Sequence, residues 1–315
     1  MRLLCLSHSP LMLVDELAPS DAAAASGFFG AVDQAADWIA AYDPELVVMF
    51  APDHFNGFFY DLMPSFCIGT EATSTRDWLM PEKALKVPTA IAERCIDHVR
   101  SRGIDVAVSR RMKCDHGFTV SLTQLFGELD RPALLPVFVN CAAHPRPSFQ
   151  RVRLLGEAIG EFAQSLGLRT LFIGSGGLSH DPPTPRPGTP EPIPERMIDR
   201  HTPSLEELDR RQARVVQNAK ALVTGDGPLL EPDREWDRVF LERILSQQFE
   251  QLDAYSDEDI NKVAGFGGHE IRAWVAALAA MRATGPFDSR LDYYRVVPEW
   301  ITGMGVVRGA SEGSL

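Results

Sequence analysis

The sequence has no long apolar run, no pair of cysteines in CxxC spacing and no excess of basic charge. Each lack removes a class of protein. Without a run of bilayer length, no membrane span is expected. The opening MRLLCLSHSP turns polar after a short apolar stretch, so a secretory leader is not expected either. The five cysteines are odd in number and scattered, which points to reduced thiols in a cytoplasmic protein rather than a disulfide framework. Lys and Arg number 31 against 43 Asp and Glu, a net charge of -12, so a nucleic-acid surface is not the default. Net charge leaves a local basic pocket open. Several chemical signatures are also missing. There is no HExxH, no GKS or GKT phosphate loop and no GxGxxG. Gly174-Ser175-Gly176 lacks the glycine two places before the serine that a GxSxG elbow needs. No convincing repeat is present.

What remains is an ordinary globular composition, 45% apolar and 23% charged, patterned as strands alternating with helices. Strands are predicted at Arg2–Leu6, Leu46–Phe50, Ile104–Ser109, Ala133–Val139 and Thr170–Ile173. Several are unbroken apolar runs, as suits strands covered on both faces. Helices are predicted at Ser26–Ala41, Pro88–Arg102, Gly117–Leu129, Phe149–Leu166, Ser204–Val223, Asp233–Glu250 and Asp257–Val263. A further helix starts at His269 and Glu270 after Gly265-Phe266-Gly267-Gly268. The fold class is therefore α/β, a mostly parallel central sheet flanked by helices, with ligands at the strand C-terminal edge. One catalytic domain is expected over residues 1–310, interrupted by a proline-rich irregular excursion at 181–203. The aromatic tail Leu291–Val307 is apolar enough to pack. The terminal Gly-Ala-Ser-Glu-Gly-Ser stretch, and residues 311–315 with it, should fray.

Histidine placement is the chemical signal. His8, His54 and His180 each follow the end of a predicted strand, and His116 precedes a helix. In an open sheet such exits converge on one edge, so residues over a hundred positions apart can meet. His98, His144 and His201 read as structural or exposed, and His269 as stabilising a helix start. Two imidazoles and one carboxylate suit a metal with open positions: His8, His54 and Glu270 could occupy one face of an octahedral ferrous ion. His116 and His180 could then move protons near neutral pH. From residues alone, zinc stays possible, as do Asp53, Asp115 or Asp181 as the carboxylate.

Certain segments carry more. Cys5-Leu6-Ser7-His8-Ser9-Pro10, Ala51-Pro52-Asp53-His54, Asp115-His116-Gly117-Phe118, Gly174-Ser175-Gly176-Gly177-Leu178-Ser179-His180 and His269-Glu270-Ile271 occur in this order. Together with Tyr293-Tyr294 and Pro298-Glu299-Trp300, they make the chain closely resemble the class III extradiol ring-cleaving dioxygenases, related to the protocatechuate 4,5-dioxygenase catalytic subunit. The resemblance implies Fe(II) held by His8, His54 and Glu270. It implies that His180 takes a catechol proton and His116 acts as acid in O–O cleavage, with the reverse division possible. It implies a small-molecule catechol and O2 as partners, the catechol being 3-(2,3-dihydroxyphenyl)propanoate or another 3-substituted one. The implied product of the former is 2-hydroxy-6-oxonona-2,4-dienedioate, and the implied assembly a homo-oligomer. Phe55, Phe58, Phe59 and Tyr60 are candidates for an apolar catechol wall, with core packing the alternative. An arginine for the propanoate is expected but not distinguishable among so many. A metal-dependent amide or ester hydrolase and a silent binding protein are the competing readings.

Overall fold

The computed structural model describes residues 1–186 and 192–313. Its strands in chain order are β1 (Arg2–Leu6), β2 (Leu46–Ala51), β3 (Phe66–Gly69), β4 (Ala72–Ser74), β5 (Ala84–Leu85), β6 (Ala107–Ser109), β7 (Met112–Cys114), β8 (Leu134–Val139), β9 (Thr170–Ser175), β10 (Phe287–Val297) and β11 (Thr302–Ser311). Eight of them form one sheet in the order β10-β11-β1-β9-β2-β8-β3-β6. The centre, β1-β9-β2-β8, is parallel throughout. The hairpin β10-β11 joins it antiparallel along β1, and β3 runs antiparallel to β8.

The helices are α1 (Ala22–Tyr42), α2 (Thr89–Ser101), α3 (His116–Phe126), α4 (Phe149–Leu166), α5 (Glu195–Ile198), α6 (Leu205–Thr224), α7 (Arg234–Leu245), α8 (Asp257–Val263) and α9 (Ile271–Ala283). Strand alternation divides the core in two. Leu3, Cys5, Val48 and Phe50 face α2, α4 and α9, while Leu4, Leu6, Val47 and Met49 face α1 and α3. On the first side α4 and α9 approach so closely that a Cβ on Gly156 or Gly160 would lie 2.2 or 2.1 Å from a carbonyl oxygen of α9. Gly167 caps the C-terminus of α4 at φ 67°, in the left-handed region. No helix among the described residues is long and apolar enough to cross a membrane.

Several expectations change. Only Ala107–Ser109 of the predicted strand Ile104–Ser109 pairs, because it lies at the sheet's edge. The helix from Asp233 stops at Leu245, where Gln247 takes φ 56°, and a 3-10 turn follows at Phe249–Ala254. His269 and Glu270 lie in a 3-10 turn, Gly267–Glu270, and α9 begins one residue later. Gly309, Ala310 and Ser311 do not fray: Gly309 and Ala310 are buried, and all three pair within β11. Within the excursion, Pro187, Gly188, Thr189, Pro190 and Glu191 fall outside the described residues, as do Ser314 and Leu315.

Candidate active site

The four histidines singled out above line a single cleft with Glu270. His8 leaves β1 and His180 follows the neighbouring β9. His54 follows β2, and His116 opens α3. Glu270 is the carboxylate at their centre. Its oxygens lie 3.1 Å from His54 Nε2, 3.4 Å from His180 Nε2 and 3.6 Å from His8 Nε2. The His54 and His116 rings stack with centroids 4.0 Å apart. Asp53, Asp115 and Asp181 are directed elsewhere. Asp53 accepts the N–H groups of Asn56, Gly57 and Phe58, and Asp181 those of Leu230 and Phe266.

Each imidazole is oriented through its other nitrogen. Ser175 Oγ–H donates to the Gly117 carbonyl at 2.7 Å, so its lone pairs face His8 Nδ1 at 2.9 Å and accept its proton. His8 Nε2 is then bare toward the cleft. Asp115 caps α3 through Gly117 N–H, and its other oxygen accepts from the His54 backbone N–H at 2.7 Å and from Nδ1–H at 3.0 Å. Asp77 accepts from both the backbone N–H and Nδ1–H of His116. His180 Nδ1–H donates to the Leu178 carbonyl at 2.8 Å. A carboxylate or carbonyl behind an imidazole fixes its tautomer and strengthens its free nitrogen as a ligand. His8, His54 and His116 each offer a nitrogen within 4.8 Å of the others, close enough to hold a metal ion. The donor set of imidazole nitrogens and one carboxylate fits a divalent first-row metal.

The glycine-rich segments serve this cluster. Gly177 N–H donates to Glu270 Oε2 at 2.7 Å, so Gly174-Ser175-Gly176-Gly177 cradles a protein carboxylate and an imidazole rather than a phosphate. A Cβ on Gly267 would fall 2.0 Å from His180 Nε2, which only glycine avoids.

Burial sets the charges, and neighbouring carboxylates modify them. Burial holds the His8 imidazole down to about 3, so it is neutral at pH 7. Burial also opposes protonation of His54, but Asp115 and Glu270 outweigh it and hold this imidazole well above its ordinary range. Glu270 raises His180 in the same way, against burial. Burial would raise Glu270, yet His180 and His8 hold it well below the usual carboxylate range.

Other residues correct or extend the sequence reading. Of the aromatic cluster, Phe55 alone lines the cleft; Phe58 stacks on Phe138 and Phe59 packs near His201. Leu11, Trp78, Leu208, Val215, Trp300 and Ile301 add to the apolar wall. His269 is fully buried between Asn261 and Arg272 and faces away from the cleft. Asp77 was not foreseen: no motif marks it, and it lies 39 residues before its partner His116. The cleft holds about 150 Å³ of accessible space and opens to solvent, room for a single substituted ring.

Residues 2–305 match the model of one family, the catalytic LigB subunit of aromatic ring-opening dioxygenase. The chain belongs to this family, whose members open aromatic rings with dioxygen. It is 45% identical over 304 residues to a 2,3-dihydroxyphenylpropionate/2,3-dihydroxicinnamic acid 1,2-dioxygenase of Cupriavidus pinatubonensis, covering 96% of each chain. A Pseudomonas putida protein of the same description is 44% identical over 311 residues, again covering 96% of each. One from Escherichia coli K12 is 44% identical over 321 residues, covering 98% of each.

Proposed function

We propose that the chain is a non-haem Fe(II) extradiol dioxygenase that opens the ring of 3-(2,3-dihydroxyphenyl)propanoate with O2, giving 2-hydroxy-6-oxonona-2,4-dienedioate. The observation that carries this reading is the convergence of Glu270 and three imidazole Nε2 atoms in one catechol-sized cleft. The names of the relatives support the substrate. His8, His54 and Glu270 would hold the metal, leaving adjacent positions open. When bound, Fe(II) supplies the site at which the two catechol oxygens and O2 meet and exchange electrons.

The protein's own groups handle protons and water. His180 is the base for a catechol hydroxyl: its Nδ1–H is committed to the Leu178 carbonyl, which leaves Nε2 toward the cleft to take the proton. His116 is the acid. Asp77 fixes its Nδ1–H, so the proton it gives to substrate oxygen is the one on Nε2. Trp78 and Ile301 keep the ring in an apolar setting. A homo-oligomer in a reducing cytoplasm completes the proposal, in keeping with five free, buried thiols.

The test is anaerobic reconstitution with Fe(II), followed by oxygen-electrode assay on a panel of 3-substituted catechols. One O2 consumed per catechol, with a yellow ring-fission product, is expected. Turnover that continues without oxygen, or none across the panel in fully metallated protein, overturns the proposal. His180→Gln and His116→Gln should each keep the metal and lower kcat by roughly 10²–10⁴-fold.

A further inference from the structure

Three guanidinium groups stand on the wall of the cleft that holds the histidines: Arg196 from α5, and Arg211 and Arg214 from α6. This gathering runs against a chain whose net charge is -12. Arg196 is half-buried and makes no hydrogen bond or ion pair among the described residues. Burial first, then the neighbouring Arg211 and Arg214, lower its proton affinity, with Glu207 opposing. A guanidinium keeps its proton regardless, so Arg196 beside Arg211 puts positive charge on this wall of the cleft.

Arg211 is fixed in a different manner. Its Nη1 donates to Asn56 Oδ1 at 3.1 Å and its Nη2 to the His54 carbonyl at 3.0 Å. Both acceptors are neutral, so a full positive charge is pinned beside His54 without being cancelled. Among the described residues, the acidic groups lining the cleft with Arg196 and Arg211 are engaged elsewhere. Glu270 is committed to Gly177 and the imidazoles, and Asp77 to His116. An anion entering with the substrate would supply the counter-charge.

We infer that Arg196 and Arg211 form a subsite for a carboxylate carried on the side arm of the catechol, an inference that rests on the ring-cleavage reading above. Arg196 makes the direct charged contact, for which the flat guanidinium fork suits a carboxylate. Arg211 provides the fixed positive wall next to the metal-facing loop.

The experiment compares iron-loaded wild-type protein with Arg196→Gln and Arg196→Lys on two catechols of similar length, 3-(2,3-dihydroxyphenyl)propanoate and uncharged 3-propylcatechol. The ratio of their kcat/KM values, carboxylated over uncharged, should fall roughly 10- to 100-fold in Arg196→Gln, chiefly through KM, and recover in part in Arg196→Lys. An unchanged ratio, or equal loss on both substrates, overturns the subsite. Calorimetry with 3-phenylpropanoate, which lacks the hydroxyls, gives a readout free of turnover. Its affinity should fall by a similar factor in Arg196→Gln, and equal affinity for both proteins contradicts the inference. If neither catechol turns over yet this acid binds through Arg196, the ring-cleavage reading fails and the subsite stands. If both catechols turn over with an unchanged ratio, the subsite fails and the reading stands.

Discussion

At the strand exits, every imidazole aimed into the cleft is tied by its far nitrogen to a fixed acceptor. On the helical wall, Arg196 has no such tether among the described residues, and Arg211 is held only by neutral groups. The difference separates two tasks. Metal binding and proton transfer tolerate little displacement, so His8, His54 and His180 leave β1, β2 and β9, His116 opens α3, and all four are braced from behind. Recognition of a side arm needs charge and reach more than fixed geometry, and it falls to a short helix and a long one outside the sheet.

The most damaging change to the braced side is Glu270→Ala. It removes the one carboxylate facing three Nε2 atoms, and metal affinity should drop by at least about 100-fold, since even supporting partners are worth 10- to 100-fold. Iron content after gel filtration checks this; full retention would place the centre elsewhere. Asp115→Asn is a subtler probe of bracing. It keeps the shape and the cap of α3 but takes away the charge behind His54, so affinity should fall roughly 10- to 100-fold with the fold intact. Anaerobic Fe(II) titration measures it, and unchanged affinity would mean that the strand-exit side is no more preorganised than the helical one.

The change that disturbs the site itself least concerns the support of the His180 loop. Asp237 accepts from Ser179 N–H and Tyr294 Oη–H, and burial pushes its carboxyl up to about 6. A raised carboxyl favours the folded state while protonated in it, so this contribution is full below about pH 4 and is lost as pH rises through 6. Wild-type stability should therefore fall by roughly 2 kcal/mol between pH 4 and 7 relative to Asp237→Asn. Urea melts of both proteins across that range would reveal the gap, and parallel curves would refute it.

How much of this was legible in the sequence depended on the range of the cause. The central strands announce themselves as unbroken apolar runs, and His8, His54 and His180 stand directly at their ends, so position along the chain gave position in the cleft. The hairpin β10-β11 was not legible as strands. β11 contains three glycines, β10 carries charged residues on a half-exposed edge, and their place beside β1 is a pairing across nearly the whole chain. Yet this hairpin steadies His8. Ser7 and Ser9 on either side of it donate to the Gly303 and Trp300 carbonyls. Asp77 and the arginine cluster were invisible for the same reason: their partners are assigned by tertiary packing, not by spacing.

The most direct trial of the braced centre is an anomalous-diffraction map from crystals soaked anaerobically in Fe(II). A single peak within bonding distance of His8 Nε2, His54 Nε2 and Glu270, with His116 and His180 left outside it, is the expected result. A peak bonded to His116 in place of Glu270, or iron bound anywhere but this cleft, would contradict the division of labour among the five residues.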